Sequence, residues 1–312
     1  MLFVAIAFEG FENDLESEIL RHNLIIKKHI ERLFIIEGPC VSLVWAQSVW
    51  NNPIEIEITS INDATKKLNQ LGKLWSLFSV SNHRRANLIQ EKLYPIKSKP
   101  IQFLQEINFP NLGAWSLIAE NKIIASTETN SPFPNGQIQF QESKLPPSRA
   151  YLKLWELFTC HNIQIPIAKS KVMDFGSAPG GWTWVLNELG CEILSFDRSE
   201  LRDDLKKNKN IQHKKIDAFG VMPDNVENQD WFFSDLICYP PKLFEFIQIW
   251  IASQKVKNFV CTIKFQGTTD FETMDMFSQI PNSKIIHLYH NKHEVTWVHG
   301  ECLKTIPSLK KS

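Results

Sequence analysis

A glycine-rich segment in the second half of the chain has the composition of a ligand-binding turn. It reads Asp174-Phe175-Gly176-Ser177-Ala178-Pro179-Gly180-Gly181-Trp182, after an apolar stretch and at the start of a helical one. Glycines permit a sharp turn and close approach of a ligand to the backbone, and amides at a helix start attract a carboxylate. The spacing differs from the G-x-G-x-x-G pattern of dinucleotide sites, and Pro179 lacks an amide donor. The segment therefore argues against a nicotinamide oxidoreductase.

Acidic residues stand at the ends of the strands that follow this turn. Asp197 ends the next predicted strand, where an acid suits hydrogen bonds to ribose hydroxyls. Asp217 ends the third strand and could accept from an adenine amino group, although a local turn cap is an alternative. Asp235 lies near the end of the fourth strand. Because ligands bind at the carboxyl ends of parallel strands, we expect these side chains to serve a nucleoside-type cofactor.

Two lysines and a glutamate could add acid–base chemistry to such a site. Lys264 abruptly ends the apolar run Phe259–Ile263, which is unusual for a buried strand. Lys153 lies on a predicted helix and Glu294 begins a late strand, where a surface lysine and an edge charge are the simpler interpretations.

The elements around these residues predict an α/β fold over 148–312. Strands and helices alternate from Ser148, the expected N-cap of the first helix, to the last two strands, Lys284–Tyr289 and Glu294–His299, which are close enough to pair antiparallel. The other expected strands are Val172–Phe175, Glu192–Asp197, Lys214–Asp217, Trp231–Ile237 and Asn258–Lys264. This order predicts a doubly wound, mostly parallel sheet.

The first half predicts a smaller α+β domain over 1–129, joined by a Pro-rich linker over 130–147. Expected strands are Leu2–Phe8, Leu33–Ile36, Ile54–Ile58, Trp115–Ala119 and Lys122–Thr127, and expected helices are Glu12–His22, Val41–Val49 and Ala64–Leu71. A basic run, His83, Arg84, Arg85, Lys92, Lys97 and Lys99, could face nucleic acid or form an ordinary solvated surface.

Composition narrows the class of protein. The 312 residues are 43% hydrophobic, with 34 basic and 34 acidic side chains, so net charge alone does not favour a nucleic-acid partner. The six cysteines show no CxxC or zinc-like spacing, and we expect free thiols and no metal. Neither a signal peptide nor a membrane span is indicated, and we expect a cytoplasmic protein.

Taken in order, the motifs resemble the FtsJ-type RNA 2′-O-methyltransferases. The resemblance rests on the glycine-rich segment and on Pro147–Leu154, Ser234–Leu236, Thr262–Lys264 and His293–Thr296. It implies a catalytic tetrad of Lys153, Asp235, Lys264 and Glu294. In this tetrad Lys264 is the general base, Lys153 is its cationic neighbour, and the two acids orient the amines. The resemblance also implies a Rossmann-like methyltransferase domain that binds S-adenosylmethionine through Asp174, Gly176, Ser177, Ala178, Pro179, Gly180, Gly181, Trp182, Asp197, Asp217 and Asp235.

A narrower likeness, at 130–134, Gly180–Thr183 and Leu288–His290, is to family members that methylate a cytidine of bacterial 23S ribosomal RNA. It implies large-subunit ribosomal RNA as partner and a THUMP-like RNA-binding region in the first half. We also expect a monomer. The alternative is a non-catalytic RNA-binding or ribosome assembly factor that keeps a vestigial methyltransferase fold.

Overall fold

A computed structural model describes residues 1–96, 99–108 and 112–303. The chain forms two compact units. One comprises Met1–Ile101 with Glu106–Phe140, and the other Gln102–Gln105 with the chain from Gln141 onward. The predicted linker, 130–147, therefore contributes residues to both units. Lys97 of the basic run lies outside the described residues. No described helix is long and apolar enough to cross a membrane.

In its described residues, the first unit contains two sheets and three α-helices. Its elements are β1 Leu2–Ala7, α1 Glu12–Arg21, β2 Ile25–Ile30, β3 Leu33–Glu37, β4 Ala46–Asn51, β5 Ile54–Glu57, α2 Ile61–Leu71, β6 Trp75–Leu77, α3 His83–Gln90, β7 Gly113–Ala119, β8 Lys122–Ser126 and β9 Glu128–Thr129. One sheet has the order β2-β3-β1-β4-β9 and the other β5-β8-β7-β6. This unit has the α+β character that the sequence predicts.

The helix predicted over Val41–Val49 is wrong, because β4 occupies the end of this segment. Ala5 pairs with Val49 and Val4 with Trp50 in an antiparallel ladder. Val49 and Trp50 are buried. Pairing with the buried strand β1 satisfies the backbone groups of β4, so a tertiary contact overrides the local helical spacing.

A buried acid on α1 holds the segment before β4. The carboxylate of Glu18 accepts hydrogen bonds from the backbone amides of Val44 at 2.7 Å and Trp45 at 3.0 Å. Burial outweighs these two bonds and raises the pKa of Glu18 to about 7. Glu18 therefore titrates near neutrality in the folded chain.

The second unit is built on one seven-stranded sheet. Its elements are α4 Tyr151–Cys160, β10 Lys171–Phe175, α5 Gly181–Glu188, β11 Glu192–Asp197, α6 Asp203–Lys206, β12 Ile211–Lys215, β13 Gln229–Ser234, α7 Pro240–Ser253, β14 Val256–Lys264, α8 Phe271–Ser278, β15 Ser283–Ile286 and β16 Glu294–Gly300. The strand order is β12-β11-β10-β13-β14-β16-β15. The strands β10 to β14 run parallel, and β16 runs antiparallel to both neighbours.

The predicted mostly parallel sheet with an antiparallel strand near the C-terminal end is confirmed. The predicted N-cap at Ser148 is wrong, because α4 begins at Tyr151 with Ala150 as its N-cap residue.

An aromatic cluster fixes the centre of the sheet. The Phe175 ring lies 4.5 Å from that of Phe232, whose ring lies 5.4 Å from Trp250 on α7. These contacts pack β10 and β13 against α7.

The raised pKa of Glu18 makes stability depend on pH. The folded-state pKa of about 7 exceeds the ordinary value of 4.5, so the stabilisation is complete below pH 4.5 and is lost as the pH rises through 7. Between pH 5 and 8 we expect the free energy of unfolding of the wild type to fall by on the order of 3 kcal/mol more than that of Glu18→Gln. Urea unfolding at both pH values measures this, with Glu16→Gln on the same helix as control. Equal pH dependence in wild type and Glu18→Gln would contradict the assignment.

Candidate active site

Four charged side chains from four separate segments meet at the carboxyl edge of the second unit's sheet. Lys153 Nζ lies 2.6 Å from Glu294 Oε1 and 3.1 Å from Asp235 Oδ1. Lys264 Nζ lies 2.9 Å from the same Asp235 oxygen and donates to the Asp235 main-chain oxygen at 2.7 Å. The structure thus brings together Lys153, Asp235, Lys264 and Glu294, which lie far apart in the sequence.

Strand register explains why these groups converge. Lys264 and Glu294 are direct cross-strand partners at the end of the β14–β16 ladder. Asp235 follows β13, the parallel neighbour of β14, and its amide donates to the Phe175 main-chain oxygen. Lys153 projects from α4. Because parallel strands end at one edge of the sheet, Asp235 and Lys264 become neighbours there.

The charges of the tetrad stabilise one another. Burial alone would raise the pKa of Asp235, but the charges of Lys153 and Lys264 outweigh it and hold this pKa below its usual range. Burial alone would lower the pKa of Lys153, but Asp235 and Glu294 outweigh it and raise this pKa. At neutral pH, Asp235 is therefore a carboxylate and Lys153 an ammonium ion.

A pocket of about 630 Å³ opens beside the tetrad. Asp235 and Lys264 line it together with Gly176, Ala178, Asp197 and Asp217. Lys153 and Glu294 do not line it, so Lys264 is the tetrad's amine on the pocket wall. A volume of this size is within the usual range of small-molecule sites.

The two other acids on the pocket wall also organise the local backbone. Asp197 accepts from the amides of Ala178 at 3.0 Å and Ser199 at 2.8 Å. Asp217 accepts from the Phe219 amide at 3.1 Å and pairs with Arg198. The hydrogen bond to Arg198 and capping of the turn at 218–220 hold the pKa of Asp217 below its usual value. The local turn cap considered from the sequence is therefore present, on a side chain that also lines the pocket.

Six predicted cofactor residues are not among those that line the pocket: Asp174, Ser177, Pro179, Gly180, Gly181 and Trp182. The Asp174 carboxylate accepts from Thr183 Oγ1 at 2.6 Å, and burial raises its pKa to about 7. Ser177 shares a hydrogen bond with Ser195, and Trp182 Nε1 donates to the Ala150 main-chain oxygen. These hydrogen bonds hold the side chains of the glycine-rich segment in place.

The two adjacent glycines leave room for neighbouring side chains. Gly180 has a φ of +115°, and a Cβ there would lie 2.3 Å from Leu205 Cδ1. A Cβ on Gly181 would lie 2.4 Å from Ser148 Oγ. Ser148 therefore packs against α5 instead of capping α4, and any larger residue at 181 would displace it.

Sequence reasoning missed ten residues of the pocket wall. They are Arg198, Ser199, Ala218, Phe219, Leu236, Ile237, Cys238, Tyr239, Lys242 and Gln266. Most directly follow a predicted strand end, so their positions carried a usable signal. Lys242 is the exception, since α7 brings its Nζ to 4.0 Å from the Phe219 ring centroid. In the described ranges, no group of three or more His, Cys, Asp or Glu side chains is arranged to hold a metal ion.

Another residue that the sequence did not single out is Glu156, which lies three positions after Lys153 on α4. Its buried carboxylate accepts from the Tyr289 amide at 2.7 Å, the His290 amide at 3.1 Å and His290 Nδ1 at 2.6 Å. Burial opposes ionisation, but hydrogen bonds and charges of His161 and His290 lower the pKa of Glu156 to about 2. Glu156 thus ties the helix that carries Lys153 to the segment that leads into Glu294.

Comparison with known proteins confirms the predicted resemblance. Residues 146–291 match the family model described as FtsJ-like methyltransferase. Ribosomal RNA large subunit methyltransferase M of Azoarcus sp. (strain BH72) is 25% identical over 181 residues, 53% of this chain and 49% of that protein. The same-named protein of Xanthomonas oryzae pv. oryzae (strain PXO99A) is 27% identical over 248 residues, 75% of this chain and 68% of that protein.

The chain therefore spans about half the length of the first of these relatives. Among solved structures, 1,6-didemethyltoxoflavin-N1-methyltransferase from Burkholderia thailandensis, with bound S-adenosylhomocysteine, aligns with a TM-score of 0.33 at 11% identity. The alignment covers 42% of this chain and 70% of the Burkholderia thailandensis chain. A TM-score this low supports no assignment.

The left-handed backbone at Gly180 predicts a specific cost of substitution. Gly180→Ala should lower the free energy of unfolding by about 1–3 kcal/mol, because an L side chain is strained at this φ. Gly220→Ala is the matched control, since no atom lies within 4 Å of its added Cβ and the change should stay within about 0.5 kcal/mol. Urea unfolding compares the two. An equal, small effect at both positions would show that the turn is not constrained.

Glu156 predicts a pH-dependent loss of stability. Glu156→Gln should cost on the order of 3 kcal/mol at pH 7, because a buried, charge-assisted network is broken. The folded-state pKa is lowered, so the stabilisation is complete above pH 4.5 and is lost as the pH falls through about 2. In denaturant unfolding, the difference in free energy of unfolding between wild type and Glu156→Gln should therefore become smaller as the pH falls from 7 to 3. Glu192→Gln, an exposed glutamate, is the control. A constant difference across this range would refute the assignment.

Proposed function

We propose that this chain transfers a methyl group from S-adenosylmethionine to a ribose 2′-hydroxyl of RNA. The observation that carries the proposal is the geometry of the tetrad, in which one carboxylate oxygen of Asp235 is shared by Lys153 and Lys264 beside an open pocket. A ribose hydroxyl is a weak acid, so it needs a base and electrostatic help to become a nucleophile. The tetrad offers both in one place.

The pocket has the polar groups that S-adenosylmethionine requires. Asp197 is the acid for the ribose hydroxyls of the cofactor and Asp217 for its adenine amino group, while the backbone at Gly176 and Ala178 borders the space for its methionine end. The conformation of this turn depends on the other residues of the glycine-rich segment, Asp174, Ser177, Pro179, Gly180, Gly181 and Trp182. When bound, the cofactor supplies a sulfonium methyl group that a nucleophile can displace.

Lys264 is the base in this proposal. Its Nζ has two acceptors on Asp235, the main-chain oxygen and Oδ1. In the neutral amine both N–H bonds can serve these acceptors, which leaves the lone pair to accept the hydroxyl proton. The positive charge of Lys153 stabilises the developing alkoxide. Asp235 and Glu294 hold both amines in place.

The proposed substrate is large-subunit ribosomal RNA. The relatives' name, ribosomal RNA large subunit methyltransferase M, supports this class, and the sequence resemblance extends it to a cytidine of 23S ribosomal RNA. We assign the RNA-binding role to the first domain, 1–129, as a THUMP-like region connected through 130–147 to the catalytic domain, 148–312. The basic residues of α3, including Arg84 and Arg85, are suited to phosphate contacts. The active form is a monomer in this proposal.

Lys264→Ala tests the proposed base. We expect methyl transfer to fall by about 10²–10⁴-fold, the usual contribution of a positioned base, while S-adenosylmethionine affinity stays within a few-fold. Transfer of a radiolabelled methyl group to unmodified ribosomal RNA gives the rate, and calorimetry gives the affinity. Lys257→Ala, an exposed lysine on the same strand, is the control and should keep full activity.

The two measurements separate the possible failures. Full transfer by Lys264→Ala would eliminate Lys264 as the base. A wild type that binds no S-adenosylmethionine and transfers no methyl group would favour a non-catalytic RNA-binding role.

A further inference from the structure

Two large hydrophobic side chains stand exposed at the rim of the pocket, directly after Asp235. Ile237 is 82% exposed and Tyr239 is 64% exposed. Between and after them, Cys238 and Pro240 are buried. This alternation anchors the segment in the fold while presenting an aliphatic and an aromatic side chain to solvent. Tyr239 is also the N-cap residue of α7, with extended backbone angles, so its backbone is fixed by the helix that follows.

This exposed pair shares its pocket with the reactive amine of Lys264. Ile237 and Tyr239 line the same pocket as Asp235 and Lys264, and β13 and β14 are adjacent strands. Burial raises the pKa of the intervening Cys238 thiol to about 11, and the charges of Lys242 and Lys264 partly offset this.

Gln266 adds a polar group to the same wall. It lines the pocket two residues after Lys264 and is exposed. A side-chain amide carries both donors and an acceptor, so it can match the edge of a nucleobase. The wall beside the tetrad thus combines an apolar surface with an amide.

We propose that Ile237 and Tyr239 form a stacking platform for the base of the target nucleotide, with Gln266 contacting the edge of that base. This inference rests on the proposed function. A 2′-hydroxyl that reaches Lys264 carries its own base at the neighbouring ribose carbon, so the base must lie against the wall near the tetrad. Aromatic side chains hold unstacked bases of RNA in this way.

The platform defines the class of substrate. A base inside a helix is stacked on both neighbours and cannot also stack on Tyr239. The substrate is therefore RNA whose target nucleotide is unpaired, in a loop or extruded from a helix. The other flat ligand that could occupy the platform is the adenine of the cofactor, and the experiment separates the two.

The test uses the full chain and unmodified large-subunit ribosomal RNA transcribed in vitro. For Tyr239→Ala we expect kcat/KM for RNA to fall about 5- to 100-fold, the effect of losing one base–aromatic stack. S-adenosylmethionine affinity by calorimetry should stay within two-fold. Tyr239→Phe keeps the ring and should retain wild-type kinetics. Ile249→Ala, an exposed isoleucine on α7 away from the pocket wall, is the matched control, and circular dichroism confirms folding of each variant.

Each outcome has one reading. Unchanged RNA kinetics in Tyr239→Ala, with an active wild type, would overturn the platform. If Tyr239→Ala loses as much S-adenosylmethionine affinity as kcat/KM, the platform would also be overturned, because the Tyr239 ring would then bind the adenine of the cofactor. A complementary oligonucleotide that pairs the mapped target should abolish transfer by the wild type, and undiminished transfer to that duplex contradicts the substrate class. A wild type inactive on all RNA instead contradicts the proposed function.

Discussion

One shared carboxylate oxygen is the interaction on which the catalytic unit depends. Asp235 Oδ1 lies within 3.1 Å of Lys153 Nζ and 2.9 Å of Lys264 Nζ. Whenever both amines are protonated, the carboxylate between them offsets their mutual repulsion, whereas an isolated buried carboxylate would be protonated. The arrangement is therefore stable only as a set, with Glu294 completing the pairing of Lys153. Removing one member leaves an uncompensated buried charge.

The rest of the unit can be understood as the support for this set. The register of β14 against β16 places Lys264 opposite Glu294, and the parallel neighbour β13 delivers Asp235. Glu156 secures the other side by joining α4 to the Tyr289–His290 segment. The glycine turn is closed by packing against Leu205 and Ser148. The sheet edge, α4 and the glycine turn thus hold the charged set in place, and Lys264 is its amine that lines the pocket.

The exposed groups divide the pocket wall by chemistry. Two acids, Asp197 at the end of β11 and Asp217 after β12, suit the hydroxyl and amino groups of a nucleoside. By contrast, Ile237 and Tyr239 offer an apolar surface. Lys264 lies on the same wall as both. This division is what a transfer between two nucleoside-containing molecules requires, since each must be held while the reacting atoms are aligned.

The sequence by itself determined the alternation of strands and helices after Ser148, the glycine turn, and the order of Lys153, Asp235, Lys264 and Glu294. Local composition and spacing are sufficient for these features. Beyond the pairing of the last two strands, the sequence could not determine which strands are neighbours. The register of Lys264 with Glu294 and the sharing of Asp235 therefore came only from the tertiary structure. Long-range pairing also decided β4, where Val41–Val49 favoured a helix. The roles of Glu156 and Tyr239 depend on burial and exposure, which folding alone creates.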